Sequence, residues 1–221
     1  MNWHPVWLSL LVATAATVAG AVPAVGVAWW LERRSTSRAG GAVRSLVETT
    51  VMLPLVLPPV VTGYALLWLL GRGGPIGRWT EDWFGVSFVF NWKGAVVAAA
   101  VVAFPLWVRP VRAALGTVDR DVVDVARTLG AGPWDAFRSV TLPSIRGGVA
   151  AGAALAFARA MGEFGATILV AGNLPGRTQT IPLAIFDAVQ TPGGAAGVWP
   201  LVAVSVAVAA AAVAIDRRAS R

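Results

Sequence analysis

The chain has 221 residues, 57% of them hydrophobic and only 13% charged, with a mean hydropathy of +0.69. That balance excludes a soluble domain, which needs a polar coat, and puts the chain in a membrane. The net charge of +7 sits on Arg residues beside apolar stretches rather than along one basic face, which speaks for membrane orientation and against nucleic acid as a partner.

About 20 apolar residues cross the hydrocarbon core as a helix. Five segments meet or approach that length: 6–31, 46–70, 94–112, 147–171 and 198–215. The expected fold is therefore all-α, a polytopic membrane helical bundle forming a single domain over residues 1–221, with no length left for a soluble ATPase. The first apolar stretch is too long for a signal-peptide core and no basic segment precedes it, so it reads as a retained helix. It closes on Trp29 and Trp30 before Glu32-Arg33-Arg34, the signature of an interfacial anchor.

In the second span, Pro54, Pro58 and Pro59 remove backbone donors and clash with the preceding turn, so the helix is kinked or broken. Two readings of that break stand: a packing kink, or a break that lines a protein-walled pathway. Residues 71–93 are rich in Gly and aromatics, and Trp79, Trp83 and Trp92 read as an outer aromatic belt or, alternatively, as part of an aromatic cage for substrate.

The fourth span opens with Gly147, Gly148, Ala150, Ala151, Gly152, Ala153 and Ala154, small residues that let another helix approach closely. It also carries Arg159 and Glu163, four residues apart on one helical face. Each alone is costly in hydrocarbon, so the spacing predicts a pair, either as a packing lock or in a substrate path. Within the Gly-, Pro- and Thr-rich stretch that follows, Ile181 to Val189 fit a short helix entering the membrane, within 178–191. Thirteen Arg lie in segments 32–45, 109–146 and 216–221, against only Arg72, Arg78, Lys93 and Arg177 on the other side. The first set is thereby cytoplasmic and the N-terminus faces outward.

The loop 113–146 is polar between apolar spans and must face a soluble partner, unless it is a surface hairpin that only joins two spans. Leu129-Gly130 interrupts a helical run, and Ala131-Gly132-Pro133 restarts one, Gly giving a turn and Pro a first turn. Two short helices at an angle are expected, with Trp134, Phe137 and Val140 on an apolar face and Asp135 and Arg138 toward water or a partner. Asp124-Val-Ala-Arg-Thr-Leu-Gly130, nine residues, then Val140-Thr-Leu-Pro143 resembles the EAA loop of ABC-importer permeases. Ala126, Gly130, Leu142 and Pro143 keep the family residue, while Asp124, Val125 and Val140 are conservative departures. The resemblance implies a coupling-helix hairpin that docks on a separate ATP-binding subunit through Asp124, Ala126, Gly130, Ala131, Gly132, Pro133, Trp134, Phe137, Leu142 and Pro143. Asp in place of Glu shortens that contact by one methylene.

Further segments narrow the likeness. Pro54 to Tyr64, Gly162-Glu-Phe-Gly-Ala-Thr167, Ala171 to Gly176, Thr178 to Phe186 and Gln190 to Gly194 resemble the permease subunits of molybdate ABC transporters; Gly-Glu-Phe-Gly-Ala is shared in part with sulfate permeases. The resemblance implies a type I permease fold, a homodimer, ATP-binding subunits, an external molybdate-binding protein, and a multi-pass place among the lipids of a bacterial or archaeal inner membrane. A small oxyanion would cross between the two copies. Pro58, Pro59, Thr62, Arg159, Glu163, Thr167 and Asn173 are the candidates for its path or gate, since weak contacts to hydroxyls and backbone donors suit passage better than a tight Arg clamp. Thr62, Thr167 and Asn173 serve equally well as packing or cap residues.

No cysteine is present, His4 is the only histidine, and no nucleophile or metal-ligand set accompanies the charged pair. The phosphate-binding GxxxxGK[ST] loop is absent too, so ATP chemistry falls to another chain. The reading is a transport subunit with no catalytic residue, no metal and no cofactor. A sulfate or other oxyanion permease is the alternative within the family, and a membrane scaffold or intramembrane enzyme the alternative outside it. Nothing in the spans marks an apolar pocket for a large organic cargo.

Overall fold

A computed structural model describes residues 3–33, 38–192 and 194–219; Arg34, Gly193 and Arg221, which enter the readings above, lie outside the described residues. The helices are α1 (His4–Glu32), α2 (Arg38–Val56), α3 (Pro59–Leu70), α4 (Pro75–Phe84), α5 (Trp92–Gly116), α6 (Arg120–Thr128), α7 (Pro133–Ala136), α8 (Leu142–Ser144), α9 (Arg146–Met161), α10 (Gly165–Ala171), α11 (Ile181–Gln190) and α12 (Trp199–Ala219). A π-helical turn, Phe137–Thr141, joins α7 to α8, and a 3-10 turn, Gly194–Gly197, precedes α12. No strand occurs among the described residues.

Helix α5 is the centre, flanked by α1 and α9, with α12 laid on α9. Small residues at four-residue spacing make these contacts. Ala16, Ala24 and Ala28 on α1 and Ala95, Ala99 and Ala103 on α5 are all buried in one core. Without a hydrophobic drive between helices in lipid, association rests on close van der Waals packing, which such ladders permit. Trp107 of α5 fills the wider part of this seam at 3% exposure. Its indole Nε1 donates to the Thr17 carbonyl of α1 at 3.1 Å, so the polar edge of the ring is satisfied. The small stretch of α9 does what its composition suggests. A Cβ on Gly148 would stand 2.5 Å from Ala114 Cβ, and one on Gly152 2.9 Å from the Trp107 ring.

Two of the expected spans are not single helices. Residues 46–70 divide at Leu57-Pro58, where the axes of α2 and α3 meet at 115°. Leu57 still donates to Leu53, but Pro58 and Pro59 have no N–H to continue the ladder, and Pro59 instead opens α3 in a first-turn position. Residues 147–171 divide at Gly162–Phe164 into α9 and α10. Among the described residues, helices α1 and α5 are each long and apolar enough to cross a membrane, the number rises to four if each of two bent pairs, α2 with α3 and Pro133–Ser144 with α9, is one span, and Trp199–Ile215 of α12 adds a shorter apolar helix. The short helix expected near 181–189 forms as α11, and the Ser9 hydroxyl of α1 accepts from the Ile181 amide at its start.

A second, smaller core lies where α3, α5 and α10 meet, formed by Leu66, Leu70, Ala98, Val102, Ala166 and Val170. There α3 and α10 nearly touch: a Cβ on Gly63 would stand 2.7 Å from the Ala166 Cα, and one on Gly165 2.8 Å from Pro59 Cβ.

Candidate functional site

The polar loop folds as a hairpin with a defined corner. Asp119 caps α6, its side chain accepting from the Asp121 amide at 2.9 Å. The helix ends in a left-handed turn at Gly130, φ 97°, with Gly130 N–H donating to Arg127 and Ala131 N–H donating to Ala126. This double bond pattern satisfies the last carbonyls of α6 and needs a residue at ease with positive φ. Gly132 and Pro133 then open α7 as N-cap and first turn. Pro143 cannot donate, and the turn before it widens, with Leu142 N–H reaching back five residues to Phe137. The Ser144 hydroxyl donates to the Val140 carbonyl at 2.7 Å.

The hairpin presents an apolar face that the described residues leave uncovered. No residue of α6 is buried. Val122, Val125 and Leu129 lie at helical spacing with exposures of 50, 56 and 84%, and Trp134 is 69% exposed. Asp124 is exposed beside them, whereas Ala126 is half-buried toward the body. Trp134 stacks on Phe137 with ring centroids 5.6 Å apart, and Phe137 meets Trp29 of α1 edge-on at 5.9 Å. The Arg33 guanidinium covers Trp29 at 3.5 Å from the ring centroid. Between the end of α1 and the hairpin lies a cavity of about 450 Å³ lined by Trp29, Glu32, Arg120, Asp124, Arg127 and Phe137.

The sequence marked Trp29 only as an interfacial anchor. Its role under the hairpin arises from a contact more than a hundred residues away in the chain, which periodicity does not carry. Asp119 went unmarked although an Asp directly before a helical run is a cap signal.

The Arg159–Glu163 pair forms, but not on one helical face. Helix α9 has ended at Met161, and Glu163 lies in the break with a side chain 1% exposed. Its Oε1 accepts from Ala166 N–H at 2.8 Å, capping α10, while Oε2 stands 2.8 Å from Arg159 Nη2, off the line of a hydrogen bond. The cation thus sits at the C-terminal end of one helix and the anion at the N-terminal end of the next, the arrangement that both helix dipoles favour.

Of the remaining path candidates, Pro58 and Pro59 are exposed at the α2–α3 corner, and Thr62 and Thr167 are buried on α3 and α10. Contacts of Pro59 with Gly165 and of Gly63 with Ala166 bring this group together near Glu163. Asn173 stands apart, past the far end of α10, about 10 Å of helix away. Thr62 Oγ1, Asn173 Oδ1 and Thr180 Oγ1 are buried with no hydrogen-bond partner among the described residues. Such groups are uncommon and ask for a reason.

One expectation is corrected. An apolar hollow of about 700 Å³ does exist, between α9, α11 and α12, with Met161, Phe164, Ile185, Phe186, Val189 and Val208 in its wall. It assembles from three separate segments, so no single span reveals it.

Residues 24–221 match the family described as "Binding-protein-dependent transport system inner membrane component", and the chain belongs to that family. It is 47% identical over 208 residues to the molybdenum transport system permease protein ModB of Escherichia coli (strain K12), an alignment that covers 94% of this chain and 89% of that one. The Haemophilus influenzae protein of the same name is 50% identical over 186 residues, 84% of this chain and 79% of that one. The sulfate transport system permease protein CysW of Escherichia coli (strain K12) is 34% identical over 182 residues, covering 82% of this chain and 60% of CysW. The fold is shared with a bacterial ABC transporter involved in the import of the acidic polysaccharide alginate, at a TM-score of 0.63 and 16% identity, over 99% of this chain and 79% of that one.

Proposed function

We propose that this chain is the membrane-spanning subunit of an ATP-driven molybdate importer, with tungstate as a competing cargo. The observation that carries the reading is the hairpin: a capped, aromatic-supported projection that keeps Val122, Val125, Leu129 and Trp134 exposed, in the loop that the resemblance to ABC-importer permeases assigns to ATPase docking. Identities of 47 and 50% to molybdenum permeases, against 34% to a sulfate permease, support the choice of cargo.

On this reading a separate ATP-binding subunit docks on residues 120–137, an external molybdate-binding protein delivers the anion, and two copies of this chain enclose the path in a bacterial inner membrane. Closure of the ATPase pair moves the hairpin, and the hairpin moves the helices. Thr62 Oγ1, buried without a partner among the described residues, would then donate to water or cargo, while Asn173 Oδ1, an acceptor, would take a hydrogen from water. The break at Gly162–Phe164, held by Glu163, would shape the wall beside Thr62 and Thr167. Hydroxyl donors bind an oxyanion weakly enough to release it.

Uptake of radiolabelled molybdate into proteoliposomes holding the permease, its ATPase and its binding protein tests the assignment. We expect ATP-dependent uptake, competition by tungstate, and much weaker competition by sulfate. Sulfate uptake untouched by excess molybdate would move the chain to the sulfate class.

Orientation follows from the Arg asymmetry. The N-terminus is placed outside, and residues 109–146 and the C-terminus inside. A cysteine added before Met1 and another after Arg221, in a chain that otherwise has none, should label from opposite sides; labelling from the same side overturns this arrangement.

A further inference from the structure

Three helices meet at one guanidinium. Arg112 of α5 places Nη1 on Glu48 of α2 and Nε 3.5 Å from Glu32 Oε2 at the end of α1. The three side chains are 34, 44 and 32% exposed, neither buried nor free in solvent. A planar fork directs donors along several lines and so holds two carboxylates at once, which a lysine ammonium, a single compact charge, does less well.

What this cluster joins makes it more than a surface pair. Helix α2 buries no residue in this chain; Val47, Val51 and Met52 touch the core but only partly. Its fixed points are few, and Arg112–Glu48 is one of them. Helix α2 leads at its C-terminal end into the proline corner and α3, which carries Thr62.

On the opposite side, Glu32 also lines the cavity under the hairpin, and it lies one turn from Trp29, on which Phe137 rests. Glu32, Glu48 and Arg112 in turn line a separate hollow of about 380 Å³. An unbroken series of contacts therefore runs from Trp134 through Phe137, Trp29, the end of α1, Arg112 and Glu48 into α2.

We propose that Arg112 is a positioning residue for transport, clamping the ends of α1 and α5 to the middle of α2 so that displacement of the hairpin reaches the broken α2–α3 element. This rests on the hairpin being the ATPase-docking element. Spatial continuity alone is not coupling, so the test must read motion at α2 itself.

The chain has no cysteine, and Val43 of α2 is 51% exposed, so Val43→Cys gives a single reporter. The rate of maleimide modification is measured with the permease–ATPase assembly in the presence and absence of ATP, and ATP hydrolysis is measured alongside. In the otherwise native chain the rate should change with ATP. Arg112→Gln should shrink that change roughly two- to thirtyfold, the range for residues on a coupling route, while hydrolysis persists. Glu48→Gln, which leaves Arg112 on Glu32, should act in the same direction and serves if Arg112→Gln does not assemble. Arg112→Lys should fall between.

An ATP-dependent change at Val43 that Arg112→Gln and Glu48→Gln leave intact overturns the proposal, as does a native α2 that never responds to ATP. Molybdate uptake is scored separately on the unmutated assembly. Transport of another anion there would remove the cargo assignment and leave this inference standing.

Discussion

Gly130→Leu should leave the chain inserted in the membrane and cut transport about tenfold or more, the factor that ~1.4 kcal/mol of lost docking gives. The reason is backbone conformation rather than space. A Cβ at residue 130 meets nothing within 4 Å, but φ is 97°, where an L side chain is strained. A left-handed residue costs roughly 1–2 kcal/mol when it is not glycine. Relief of that strain opens the turn in which Gly130 and Ala131 cap the carbonyls of Arg127 and Ala126, and α6 then leaves its angle to α7. Gly130→Asn, which tolerates positive φ better, should retain most of the activity. Co-purification with the ATPase, together with uptake, checks both variants. Wild-type transport by Gly130→Leu would show that the corner does not set the docking geometry.

The second large effect concerns the pair across the α9–α10 break, and here the structure predicts an asymmetry. Glu163 is 1% exposed at its side chain and Arg159 29%. Arg159→Gln strands a buried carboxylate whose remaining partner is the Ala166 amide, and breaking a buried pair in this way costs about 3–5 kcal/mol. Glu163→Gln is milder, because the amide oxygen still accepts from Ala166 and the cation left behind is the less buried of the two side chains. The double variant should recover part of the loss, as residues sharing one interaction do not add. Folded yield and thermal midpoint of the purified permease, with uptake measured on what folds, give the cycle. Strict additivity of the two single variants would make the residues independent and would favour a separate path role for Glu163.

Much of the hairpin was legible in the sequence because its signals are local. Gly130, the Gly132-Pro133 start and Pro143 each act on the backbone within a turn or two, so spacing alone placed the corner and both helices. The ends of α1 and α5 were legible for a similar reason, since apolar length and the flanking charges mark them. The prolines at 58 and 59 announced a break, and the missing N–H groups explain why one formed.

The size and place of the larger rearrangements were decided by packing. No single-segment pattern gives a 115° turn between α2 and α3; it fits the close approach of Pro59 to Gly165 and of Gly63 to Ala166 from a segment a hundred residues on. For the same reason a continuous helix through Glu163 was a sound expectation from spacing and an incorrect one. An i, i+4 pair looks the same in sequence whether its helix continues or stops between the partners, and the Oε1 bond to Ala166 exists only once α10 has turned away. The sequence by itself determined that this chain lives in a membrane, that its hairpin turns at Gly130 and that its second span breaks at Pro58 and Pro59. Tertiary structure alone decided that Trp29 lies under the hairpin, that Arg112 gathers Glu32 and Glu48, and that the apolar hollow by α11 exists, because each joins residues whose chain separation exceeds the reach of any local pattern.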